Sequence, residues 1–94
     1  MSVIAKGNPA SIANEVSKII GNNIVGNIHQ HFDTHTIENG FLVEALSQSG
    51  VFHNCWIKVY ITKADEDHSI INFRSCDCGG IWELRRKISQ KLGV

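Results

Sequence analysis

The chain reads as one α+β domain: a helix, an antiparallel sheet of three to four strands, then a second helix, in a two-layer sandwich. Three observations predict it. Segments near both ends carry apolar residues at helical spacing, the stretch between them alternates with a period of two, and turn residues divide that stretch at short intervals. Ninety-four residues fit a single domain over 1–94 and leave no room for another.

The first helix is expected over residues 9–20. Asn8 is an N-cap whose side-chain oxygen can accept a backbone N–H of the first turn, and Pro9 sits where a missing N–H costs nothing. Ile12, Val16, Ile19 and Ile20 form the apolar stripe, with Gly21 as the stop. From Ile28 to Glu38 the chain alternates: Ile28, Phe32, Thr34 and Thr36 share one parity, and His29, His31, Asp33 and His35 the other. Asn39-Gly40 signals a two-residue hairpin, since both positions tolerate positive φ. Phe41 to Ser47 is the return strand, although Leu42, Glu44, Ala45 and Leu46 are good helix formers and a short helix is the alternative. Val51 to Thr62, rich in β-branched and aromatic residues, is the strongest strand. Lys63 to His68 is a charged loop, and Ser69 to Ser75 pairs back. After Gly79-Gly80 a last helix covers residues 81–92, with Ile81, Leu84, Ile88 and Leu92 as its stripe.

Composition narrows the function classes. Nine basic and nine acidic residues cancel, so no global field draws nucleic acid, anionic membrane or acidic substrate. No apolar run approaches the roughly 20 residues that span a bilayer. Met1 to Lys6 lacks the basic-then-apolar pattern of a signal peptide, and three cysteines cannot all pair, so free thiols in a cytoplasmic setting are expected.

The long strand carries the main functional clue. Its odd positions, Val51, Cys55, Ile57, Val59 and Ile61, make an ordinary core face. Its even positions place Phe52, Trp56 and Tyr60 in a row on the other side, which Leu42 and Leu46 extend from the neighbouring strand. Two short helices cover one face of such a sheet, not both. A row of aromatics on the uncovered face marks a protein-binding surface, with another copy of the chain as a natural partner. The competing arrangement puts one helix on each face, or folds Trp82 over the row.

Other constellations carry less. His29, His31 and His35 lie near Asp33, and with Cys76 and Cys78 they have the chemistry of zinc ligands. Cys76-Asp77-Cys78, however, has one intervening residue where structural zinc sites use two to four, so no metal or other cofactor is expected and a zinc-binding small domain stands only as an alternative. The same cysteines precede a helix N-terminus, which favours thiolate. Nucleophile motifs, phosphate loops and metalloprotease signatures do not occur, and the chain is read as no enzyme. A basic cluster of Arg85, Arg86, Lys87 and Lys91, joined by Arg74, offers the alternative of a nucleic-acid-binding regulator. Consecutive residues on a helix diverge by about 100°, which weakens that footprint. The expectation is a small non-enzymatic protein-binding module, of the inhibitor, immunity or adaptor kind that phages and mobile elements supply, self-associating as a homodimer.

Overall fold

The computed structural model describes residues 2–24, 30–47, 55–77 and 79–94. Its elements are β1 (Ser2–Lys6), α1 (Pro9–Ile24), β2 (Gln30–Ile37), β3 (Gly40–Ser47), β4 (Cys55–Lys63), β5 (His68–Ser75) and α2 (Gly79–Leu92). The strands form one antiparallel sheet in the order β1-β5-β4-β3-β2. The antiparallel α+β class is therefore as expected, but the strand count and the element order are not. The sheet has five strands, and the chain begins with a strand before its first helix.

The missed strand explains itself physically. Only Val3 and Ala5 of β1 turn toward the core, too short a run for a period to emerge. Its partner β5 lies more than 60 residues on, with Ser2 opposite Asn72 and Lys6 opposite His68. The Gly7 N–H donates to the Asp67 carbonyl at 2.7 Å, and the buried Ser69 hydroxyl donates to the Gly7 carbonyl at 2.8 Å. Those bonds place β1 along the edge of β5.

Asn8 caps α1 as expected: its Oδ1 accepts the Ser11 N–H at 2.8 Å. The helix does not stop at Gly21 but continues to Ile24. It is α2 that ends on a left-handed glycine: Gly93 has φ +74° and the Val94 N–H reaches back to the Ser89 carbonyl at 3.0 Å.

In β3 the sheet wins over local helix preference, because both edges of that segment are paired. The hairpin before it is one residue out of the expected place. Glu38 and Asn39 form the turn, Asn39 has φ +62°, and Gly40 already pairs with Ile37.

The core lies between the helices and one sheet face. Ile12, Ala13, Val16 and Ile20 of α1 and Ile81, Leu84 and Ile88 of α2 bury against Val43, Ile57, Val59, Ile61, Ile71 and Phe73. Full burial of an aliphatic side chain contributes roughly 1.5–3 kcal/mol, so this single layer carries the stability. Both helices pack on the same side of the sheet, and among the described residues no helix lies on the other.

Candidate functional site

On β4 the buried residues Ile57, Val59 and Ile61 alternate with Trp56, Lys58, Tyr60 and Thr62, which point to the other face. Pairing register extends this alternation across the sheet. Trp56 stands beside Leu46, and Tyr60 beside Leu42, so two apolar rows cross β3 and β4. Between them runs a charged row: Asp33 on β2, Glu44 on β3, Lys58 on β4 and Arg74 on β5. Ile70 and Ile4, the latter 63% exposed, form an apolar corner at the far end. Trp56, Tyr60, Leu42 and Leu46 are half-buried by their neighbours within the sheet, and among the described residues no helix lies over them.

The charged row divides by sign. Its acidic half centres on His35, whose Nε2 lies 3.2 Å from Glu44 Oε1 and 3.6 Å from Asp33 Oδ2. In its basic half, Lys58 Nζ lies 5.9 Å from the centroid of the Trp56 ring, a cation–π contact. Among the described residues neither Lys58 nor Arg74 has a carboxylate oxygen within ion-pair distance. A cleft of about 230 Å³ opens between β3 and β4 at Leu46 and Trp56. The face can bury apolar rings and pair charges of both signs.

The structure brings together Leu42, Leu46, Trp56 and Tyr60 on the uncovered face. Phe52 lies outside the described residues. Trp82 does not fold over the row: it is 52% exposed on α2, with the Arg85 guanidinium 4.5 Å from its ring.

The histidine and cysteine residues are spread out. His29 and Cys78 lie outside the described residues. His31 and Cys76 belong to the row that contains Leu46 and Trp56, but three strand spacings apart, about 14 Å. His35 stands two rows of pairs further along β2, held by carboxylates. Among the described residues no group of three or more such side chains is arranged to hold a metal ion.

The basic residues also diverge. Arg74 points from the open face, whereas Arg85 packs on the helix side, 5.4 Å from the Phe73 ring. Arg86 donates from Nε to Glu83 Oε2 at 3.1 Å and forms a second bond to Glu83 Oε1. Lys87 and Lys91 are exposed further along α2.

Sequence reasoning missed the charged row and its His35 cluster. Parity along each strand places Asp33, Glu44, Lys58 and Arg74 on one face, but their adjacency depends on register between strands. Among the described residues no helix is long and apolar enough to cross a membrane. Comparison of the chain with known families, characterised proteins and solved structures finds no match to it.

Proposed function

We propose that this protein is a small non-enzymatic protein-binding module, of the inhibitor or adaptor kind, working through the open face of its sheet. One observation carries the reading: both helices stack on one face, while Leu42, Leu46, Trp56 and Tyr60 cross the other with no element over them among the described residues. Trp and Tyr are the residues most enriched where binding energy concentrates, and charged groups beside them set partner choice. The polar side chains beside the face have partners within the chain. His35 and His68 pair with carboxylates, and the Cys76 sulfur accepts a backbone N–H.

The test is capture on tagged wild-type protein beside Trp56→Glu, with circular dichroism as the check on folding. The substitution lies outside the helix-covered core, so the loss of stability should stay near 1 kcal/mol. Ile57→Ala, on the buried face of the same strand, should cost about 2–5 kcal/mol. Wild type should hold a partner protein, its own copies included, and Trp56→Glu should release it. A wild type that holds no protein at all, itself included, would sink the reading.

A further inference from the structure

We propose that the open face is covered by a second copy of this chain, stacked face to face about a twofold axis running along the strands between β3 and β4. The proposal rests on the reading that this face binds protein, and it names the partner.

The charge order across the face carries it. From one edge to the other the row reads Asp33, Glu44, Lys58, Arg74: two acids on β2 and β3, then two bases on β4 and β5. Rotation about an axis between β3 and β4, parallel to the strands, reverses the strand order of the second copy and leaves each row at its own height. Lys58 then stands over Glu44 of the other copy, and Arg74 over its Asp33. The two bases, which have no carboxylate at ion-pair distance among the described residues of their own chain, gain one.

The same rotation treats the apolar rows consistently. Trp56 comes over Leu46 of the other copy and Tyr60 over its Leu42, because each pair already sits side by side on β3 and β4. Neither Trp56 nor Tyr60 is set against a charge. An axis across the strands behaves differently, since it sets each strand over its own copy. Acids on β2 and β3 then confront acids, and bases on β4 and β5 confront bases. Confronted like charges disfavour that arrangement, so the pattern selects one orientation of two.

Dimensions agree. Four strands at about 4.8 Å spacing and eight residues at about 3.3 Å rise give a face of roughly 500 Å² in projection. The pair hides on the order of 1,000 Å², where specific interfaces begin. β1 falls outside the overlap and remains an edge strand. Aligned stacking of two twisted sheets is the ordinary geometry of β-sandwiches.

The experiment separates charge from apolar stickiness. Two variants are made, Lys58→Glu with Arg74→Glu and Asp33→Lys with Glu44→Lys, and their masses are followed by sedimentation. Wild type should be a dimer that weakens as salt rises. Each variant alone should dimerise on the order of 100-fold more weakly, because like charges meet across the axis. An equimolar mixture should recover a dimer containing one copy of each, which misfolded chains cannot do. A salt-insensitive wild-type dimer, variants that dimerise as wild type does, or a mixture that stays monomeric would overturn the proposal. A monomeric wild type would overturn it too. If such a monomer still captures a different protein through Trp56, the binding-face reading stands and only the second copy is wrong.

Discussion

Trp56 and Cys76 close the end of the β4–β5 ladder on one another. The Trp56 N–H donates to Cys76 Sγ at 3.3 Å, and the Cys76 N–H donates back to the Trp56 carbonyl at 3.2 Å. The thiol thus helps fix the backbone under the aromatic ring on the open face. Removing it by Cys76→Ala should cost about 1 kcal/mol, the net worth of one hydrogen bond. In a Trp82→Phe background Trp56 is the only indole, because the chain has two tryptophans. Its emission should shift on Cys76→Ala and stay near wild type on Cys76→Ser. Identical spectra and melting temperatures in all three would show that the sulfur contributes nothing.

Gly40 is where the hairpin meets the sheet most closely. A Cβ at this position would fall on the Ile61 carbonyl, part of the backbone of β4. Backbone cannot swing aside as a side-chain tip can, so Gly40→Ala should destabilise by about 2–3 kcal/mol through strain in the β3–β4 pairing. Gly21→Ala is the contrast: among the described residues, its own helix backbone and chain neighbours aside, nothing lies within 4 Å of a Cβ there, and the helix continues through it. That substitution should stabilise by about 0.5–1 kcal/mol. Chemical denaturation of both variants decides the matter, and equal effects would contradict it.

Acid should loosen the β4–β5 turn. Asp65 accepts a hydrogen bond from the His68 ring at 2.9 Å and one from the Asp67 N–H at 2.8 Å, and both hold its carboxyl below the ordinary range. Glu83 is held low in the same direction, chiefly by its hydrogen bond from Arg86. A carboxyl depressed in the folded state binds fewer protons there than in the unfolded chain. Its contribution is complete above the unfolded value and disappears as pH falls through the folded one. Both groups are exposed to solvent, so the effect is small. The fall in melting temperature between about pH 6 and about pH 3 should be less steep in Asp65→Asn with Glu83→Gln than in wild type. An equal or steeper fall would refute the assignment.

Local pattern determined a good part of this protein. The Asn8 cap, the stripes of both helices and the alternation of β4 follow from residues within a few positions of one another, and each appears in the fold. The partition of β4 was legible too, because a period of two sends Ile57 and Tyr60 to opposite faces whatever the sheet does next. Tertiary structure decided what depends on distant partners. β1 exists because β5 supplies its hydrogen bonds, and β3 is a strand because both its edges are filled. Placement of both helices on one side came from α1 and α2 burying their stripes in one shared core. The order Asp33, Glu44, Lys58, Arg74 is likewise a product of register. Four strands contribute one residue each, and a one-residue slip in any pairing would turn that strand's charge toward the core. Periodicity is a property of a segment, whereas adjacency across a sheet is a property of the assembled chain.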